Sequence, residues 1–407
     1  MGHVQDRWWK EVKDPVTDEV TKVKTSLYGQ GLRYKVRYLG PSGVEKSKSF
    51  PDRQKKRADA FLIEVESTKL EGKYVDPKAG KRKFKTQAEN WIKAQSPDAA
   101  SREIIKSRLN SRIYPTFEDM PVGKIKPATI RDWLGALDDA RLSENYKTVL
   151  FTIMSSVMDS AVEDKLIIEN PCKAKTIKRP MSVSPDIVVW PEERVMDIEG
   201  AIDPRFAIAC PLGAGGGLRQ GEILGFSPDD VDEEGMVLRV QRQLRTIRGT
   251  LVFSPPKGGK KRVVPLASGV LTAITEHIKL FPPVEVTLPW KDPEGEPVTV
   301  RLLATGENGR LYTGDLFHKV VWMGAFREAG IKYRGRADGM HALRHFFASV
   351  LLAQGVSIKE LAEYLGHSDP GFTLRTYTHL VPSSYERARL AINGVFGGSQ
   401  DHGLEAA

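Results

Sequence analysis

Leu32-Arg33-Tyr34-Lys35-Val36-Arg37-Tyr38 alternates apolar or aromatic with basic positions, the two-residue period of a half-exposed strand. Gly40-Pro41-Ser42-Gly43 then signals a turn, and Val44 to Phe50 alternates again. Arg33, Lys35 and Arg37 share one side of the first strand, and Lys46 and Lys48 share one side of the second. Asp52 to Leu70 changes to a helical pattern, with Phe61, Leu62 and Val65 for its apolar side. The prediction is a small sheet with a basic face and a helix behind it.

The pattern changes after Tyr74. Tyr74 to Lys81 reads as a linker, and residues from Thr86 to Glu169 carry almost no strand signal. Thr86-Gln87-Ala88-Glu89 predicts a cap for a helix carrying Trp91. Pro127 predicts the start of another, with Ile130, Trp133 and Leu137. Ser143 to Asp164 predicts a longer helix, with Val149, Ile153, Val157 and Ala161 at four-residue spacing. This middle segment reads as four helices. Asn170-Pro171 ends it, and Lys173 to Pro185 is a basic tether. From Asp186 to Phe396 the chain reads as α+β, mostly helical. Its strands lie at Met236–Val240, Leu251–Phe253 and Arg262–Leu266. Ser384 to Phe396 predicts a last apolar-sided helix, and Gly397 to Ala407 a tail.

A chain of 407 residues suits two or three domains. No apolar run approaches the length of a membrane span, so no membrane partner is expected. The N-terminus lacks a basic-then-apolar secretory order, which points to the cytoplasm. Cys172 and Cys210 lie far apart without metal-ligand spacing and read as ordinary buried thiols. The formal charge of +9 is uneven: Thr21 to Arg57 carries eleven lysines and arginines against two acids. A concentrated basic patch is the footprint of a polyanion partner such as double-stranded DNA. A basic ribbon built from Arg33, Lys35, Arg37, Lys46 and Lys48 could enter a major groove.

The C-terminal half carries the chemistry. Arg219 follows the glycine run Gly215-Gly216-Gly217, and Glu222 is one turn away to orient its guanidinium. A phosphate-loop reading of those glycines fails, because no Gly-Lys-Ser/Thr follows. Lys257 sits in Pro255 to Arg262, which reads as a basic hairpin between two strands. A lysine there could protonate a leaving oxygen, and Lys260 or Lys261 could take its place. His341 and Arg344 share a helix face. His345 suggests half of a zinc motif, but Ala342 stands where the glutamate is needed, so His345 reads as a packing histidine. His367 follows Leu365-Gly366, a helix C-cap signal, and Tyr377 lies ten residues on. Alone, each of these residues would pass for a structural one. Together, the arginines, lysine and histidines suit a phosphate gaining negative charge, with the tyrosine as nucleophile. Acids are sparse around them, so the arginines rather than carboxylate-held metals would do the electrostatic work. No cofactor and no metal are expected.

In this order the residues resemble the signature of tyrosine site-specific recombinases of the phage integrase family, and the resemblance spans nearly the whole chain. It implies a multidomain, mainly α protein with small β-sheets. Residues 1–75 would be an arm-type DNA-binding domain, a three-stranded sheet plus helix. Residues 76–180 would be a helical core-binding domain, 181–396 an α+β catalytic domain, and 397–407 a tail. It implies that Arg219 and Arg344 bind the scissile phosphate and that Lys257 is the general acid. His341 would be the general base, His367 a further phosphate ligand, Glu222 a support and Tyr377 the source of a 3′-phosphotyrosine. No ATP or metal would be consumed. The implied assembly is a homotetramer on core and arm sites, with a host DNA-bending protein and a directionality factor as further partners and the last helix either bridging protomers or docking on its own domain. The implied activity is integration and excision of a phage or mobile element. A type IB topoisomerase and a non-catalytic DNA-binding protein of the same fold are the alternatives.

Two features depart from the plainest family pattern. Phe281 to Lys319 is long enough for an extra hairpin, and the interval from His367 to Tyr377 is ten residues where some members have nine. Tyr333, Tyr364 and Tyr385 are the other tyrosines within reach of the segment, and none fits the motif.

Overall fold

The computed structural model describes residues 2–13, 18–40, 43–70, 74–75, 79–95, 98–182, 187–377, 389 and 392–393. The chain divides into two compact units, Met1–Val183 and Ser184–Ala407. Pro41 and Ser42 of the expected turn and part of the linker after Tyr74 lie outside the described residues. So do nearly all of the helix expected over Ser384–Phe396 and the tail.

The first unit begins with β1 (His3–Asp6), β2 (Trp9–Lys13), β3 (Val20–Lys24), β4 (Tyr34–Leu39) and β5 (Glu45–Phe50). β1, β4 and β5 form a three-stranded antiparallel sheet, while β2 and β3 make a separate hairpin that the alternation did not reveal. Helix α1 (Lys55–Leu70) covers one sheet face, burying Tyr34, Val36 and Tyr38 of β4 with its own Ala58 and Val65. The expected single basic face is corrected here. Antiparallel partners share a face, and Tyr38 pairs with Lys46 and Val36 with Lys48. Lys46 and Lys48 therefore lie on the α1 side, with Lys48 Nζ 4.2 Å from the Phe61 ring centroid. Lys35 and Arg37 occupy the opposite face, opposite Ser49 and Ser47.

Next come α2 (Phe84–Gln95), α3 (Ala99–Arg108), α4 (Tyr114–Phe117), α5 (Pro127–Asp139) and α6 (Glu144–Glu163). A π-helical turn, Leu109–Ile113, joins α3 to α4, so four helical rods enclose this core. Helix α2 starts before the expected cap at Thr86. The buried Phe84 anchors its first turn, with its backbone N–H donating to the Met120 carbonyl. Pro127 opens α5, and the Ser143 hydroxyl caps α6 by accepting from the Tyr146 N–H at 3.3 Å. Ile153, Val157 and Ala161 are buried along α6, the stripe that their spacing predicted.

The second unit holds α7 (Glu192–Ala201), α8 (Gln220–Leu224), β6 (Val231–Asp232), β7 (Val237–Val240), β8 (Gln243–Ile247), β9 (Thr250–Ser254) and β10 (Arg262–Pro265). It continues with α9 (Ser268–Leu280), β11 (Val284–Pro289), β12 (Pro297–Leu302), α10 (Gly314–Phe317) and α11 (Met323–Glu328). It closes with α12 (His341–Ala353), α13 (Ile358–Leu365) and α14 (Pro370–Tyr377). β10 pairs with β7, and β8 pairs with β9. The basic segment 255–261 therefore does not cap a hairpin of its own. It links β9 to β10 in different sheets, within a long connection from β7 to β10. The extra hairpin expected in Phe281–Lys319 is β11–β12. Arg248 ties it down through Asp292 at 2.9 Å and Glu294 at 2.6 Å. Cys172 and Cys210 are both buried and unpaired.

Candidate active site

The glycine run works by close approach. Gly217 has φ +62°, and a Cβ there would meet Phe347 Cδ1 of α12 at 2.6 Å. The chain can turn against α12 only with glycine at that position. The turn delivers the Gly217 carbonyl to Arg344 Nη1 at 2.6 Å and places Arg219 immediately before α8.

Glu222 lies in the first turn of α8, where a carboxylate meets free backbone N–H groups. It accepts from the Arg219 N–H at 2.8 Å and from Arg219 Nη1 at 2.9 Å. Arg262 approaches from β10, donating Nη1 and Nη2 to the same carboxylate at 2.8 and 2.7 Å and Nε to the Tyr364 carbonyl at 2.7 Å. Burial alone would raise the Glu222 pKa, but Arg262 and Arg219 win and hold it down to about 2.

Arg344 is 1% exposed, on the inward face of α12. Its Nη2 donates to the Leu365 carbonyl, the oxygen that Arg219 Nη2 also reaches at 3.2 Å. That carbonyl has no helical partner because α13 ends there, with Gly366 in the left-handed region at φ +63°. His367 follows, its Nε2 3.3 Å from Arg344 Nη2 and its Nδ1 2.7 Å from Thr373 Oγ1. Burial, then Arg344, Arg219 and Arg262, lower the His367 pKa to about 4.

Tyr377 ends α14 and is 2% exposed. Its hydroxyl lies 2.9 Å from His345 Nδ1. Burial raises its pKa, while Arg344 and Arg219 pull the other way. Burial and Arg344 lower His345 to about 4. His341 stands one turn earlier, edge-to-face with His345 at 5.1 Å between ring centroids. Partial burial and then His345, Arg344, Arg219 and Arg336 depress it as well, although the residue as a whole is exposed.

The structure thus gathers Arg219, Glu222, Arg344, His367 and Tyr377, with His341 beside them. Lys257 sits exposed in the short helical turn Lys257–Gly259. Lys260 and Lys261 instead line a groove of about 550 Å³ with Arg262, Gly366 and His367. Sequence reasoning missed Arg262 and the contact of His345 with Tyr377. Arg262 alternates in register with the buried Val264, and that parity was the available signal for an inward side chain. Among the described residues no group of three or more His, Cys, Asp or Glu side chains is placed to hold a metal ion. No helix among them is long and apolar enough to cross a membrane.

The five N-terminal basic residues divide three ways. Arg33 is ion-paired with Asp6 at 2.8 Å and Asp52 at 3.0 Å, and Arg37 with Glu45 at 2.7 Å. Lys35 makes no ion pair with any described residue, and Lys46 and Lys48 face α1.

A sequence profile of the phage integrase family matches residues 194–383, and one of the phage integrase central domain matches 84–176. An integrase of Mycobacterium phage D29 is 27% identical over 292 residues, which cover 70% of this chain and 71% of that protein. The Tn1549 transposon integrase, solved in complex with transposon right end DNA, superposes with a TM-score of 0.63 at 19% identity. The match covers 77% of this chain and all of that one. A lambda integrase tetramer bound to a Holliday junction gives 0.54 at 15% identity, over 82% of this chain and 93% of that one.

Proposed function

Because the chain belongs to the phage integrase family of tyrosine recombinases, we propose that Tyr377 is the nucleophile with which it cuts and rejoins DNA. The protein is a site-specific DNA recombinase, an integrase. The observation that carries the residue assignment is the convergence of Arg219 and Arg344 on one oxygen, the Leu365 carbonyl. A non-bridging phosphate oxygen carries more negative charge than a carbonyl and is the better acceptor for the same N–H groups. Arg219 and Arg344 hold the scissile phosphate, and His367 adds a donor or a polar contact at its edge. Glu222 and Arg262 keep Arg219 in place. Tyr377 attacks phosphorus as its proton passes to the α12 histidines, with His341 as the general base, and the 5′-oxygen departs with a proton from a lysine of the 257–261 segment. The energy of the broken bond is kept in the 3′-phosphotyrosine, so rejoining needs no external energy source.

Residues 1–75 serve as the arm-type DNA-binding domain, residues 76–180 as the core-binding domain and 181–396 as the catalytic domain. The sheet face carrying Lys35 and Arg37 is the one turned away from α1, and it suits a DNA groove. The assembly that exchanges strands is a homotetramer on paired core sites, acting on DNA in the cytoplasm. A DNA-bending protein and a directionality factor assist it.

The test is a nicked suicide substrate, from which the cut end diffuses away and traps the intermediate. Wild type should accumulate a covalent protein–DNA adduct, and Tyr377→Phe should bind the same DNA and form none. Adduct formation by the phenylalanine variant would assign the nucleophile to another tyrosine.

A further inference from the structure

We propose that the β2–β3 hairpin grips the phosphate backbone of duplex DNA, as a second contact beside the groove that the sheet face enters. This rests on the reading of residues 1–75 as the arm-type DNA-binding domain. The hairpin is an excursion between two paired strands. β1 ends at Asp6, paired with Tyr34 at the start of β4, and β2 and β3 lie between them in the chain. Every residue of β3 is exposed, and so is every residue of β2 except the half-buried Trp9. Val12, Val20 and Val23 are 40%, 58% and 43% exposed, so the strands bury no core of their own. A two-stranded hairpin without one is marginal in water. This one is fastened at its root. The Thr25 N–H donates to the Trp8 carbonyl at 2.9 Å, the Thr25 hydroxyl to the Arg7 carbonyl at 2.6 Å, and Trp8 Nε1 to the Gln30 carbonyl at 3.0 Å. Tyr28 packs edge-on against Trp9, with 5.3 Å between ring centroids. The fold thus spends its bonds on holding out a solvated ribbon.

The charge on the ribbon decides what it fits. Trp9 pairs with Lys24 and Glu11 with Lys22, so both lysines lie on one face. They are two residues apart, about 7 Å along the strand. Successive phosphates of one DNA strand are separated by a similar distance, so the pair can meet two neighbours on the backbone. Lys24 Nζ stands 4.1 Å from the Tyr28 ring centroid, which sets its position, and it makes no ion pair with any described residue. Lys22 meets Glu11 only loosely, at 3.7 Å, and 69% of its side chain is exposed. Towards the turn the charge reverses. Lys13 is paired with Asp18 at 2.7 Å, and Glu19 follows. The cationic end of the ribbon is therefore its root, where Arg33 also stands, 5.6 Å from the Trp8 ring centroid. The acidic end points away from the phosphates. Phosphate contacts position a protein without reading sequence, so base recognition stays with the face carrying Lys35 and Arg37, and the hairpin adds affinity.

The experiment is a gel shift of the full chain over a series of salt concentrations. The probes are a duplex carrying the attachment site and a random-sequence duplex of the same length. The variants are Lys22→Ala/Lys24→Ala, Lys22→Arg/Lys24→Arg and Lys35→Ala/Arg37→Ala. Each phosphate contact contributes about 0.9 to the slope of log affinity against log salt, so the first variant should lose about 1.8 of slope on both probes. It should weaken both by the same factor. The arginine variant keeps the charge and should bind as wild type. An unchanged slope in the alanine variant would overturn the proposal. So would a loss confined to the attachment-site duplex, which would make the hairpin a reader of bases. An arginine variant as weak as the alanine one would also overturn it, since packing on Tyr28 rather than charge would then be what was lost. Lys35→Ala/Arg37→Ala checks the underlying reading and should lose the preference for attachment-site DNA. If it does so while the hairpin variant binds as wild type, the arm-domain reading survives and this inference fails. If Lys35→Ala/Arg37→Ala keeps full preference, the underlying reading fails.

Discussion

Glu222 gathers two guanidiniums, those of Arg219 and Arg262, onto a side chain with no solvent exposure. Removing its charge leaves buried cations uncompensated, a loss of about 3–5 kcal/mol. Glu222→Gln should therefore lower the unfolding free energy by that amount, seen as a lower urea midpoint at an unchanged m-value, and should slow adduct formation through the misplaced Arg219. A midpoint within error of wild type would show that the carboxylate is dispensable to the pocket. The histidines set a separate pH dependence. His345 and His367 have folded values of about 4, below the ordinary 6.5, so the unfolded chain takes up protons first on acidification. Their contribution is complete above pH 6.5 and is lost as pH falls from there towards about 4. The slope approaches about 1.4 kcal/mol per pH unit for each ring. Urea unfolding at a series of pH values should show this decline, and His367→Gln should flatten part of it. A flat wild-type profile across that window would contradict the buried, neutral rings.

At the scale of elements, the connection from β7 to β10 decides which lysine meets the substrate. Lys257 precedes a turn whose Gly258 has φ +80°, while Lys260 and Lys261 border the groove beside His367. A general acid is needed only when the leaving oxygen needs a proton. A substrate with sulfur in place of the bridging 5′-oxygen leaves readily without one. Single alanine variants of Lys257, Lys260 and Lys261 should be compared on both substrates. The general acid is the one whose loss slows cleavage of normal DNA about 10²-fold or more and is rescued by sulfur. Equal slowing on both substrates by every variant would leave these lysines as phosphate contacts.

For the whole molecule, charge distribution gives the clearest expectation. Thr21 to Arg57 holds eleven basic residues against two acids, although Arg33 and Arg37 spend part of that charge on Asp6, Asp52 and Glu45. Deleting residues 1 to 75 should abolish binding to distal arm sites, weaken binding at the core, and reduce the salt dependence of binding. Gel shifts at several salt concentrations measure all three. Unchanged arm-site binding by the truncated protein would refute the assignment of the N-terminal sheet.

The sequence by itself located most of the helices and supplied the candidate residues of the site. Apolar spacing located α6 and Pro127 marked the start of α5, because those signals are local to one turn or one helix face. The order of Arg219, His341, Arg344, His367 and Tyr377 was legible because each residue type has few uses near a phosphate. Tertiary structure decided what pairing and packing must decide. Strand register put Lys46 and Lys48 on the α1 side, and no alternation within one strand can say which face a neighbouring strand shares. The partner of β10 proved to be β7, across more than twenty intervening residues, which removed the expected hairpin and turned Arg262 inward to Glu222. The approach of α14 to α12 decided which histidine of α12 touches Tyr377. Both histidines share a face of one helix, and only the distance to Tyr377 tells them apart.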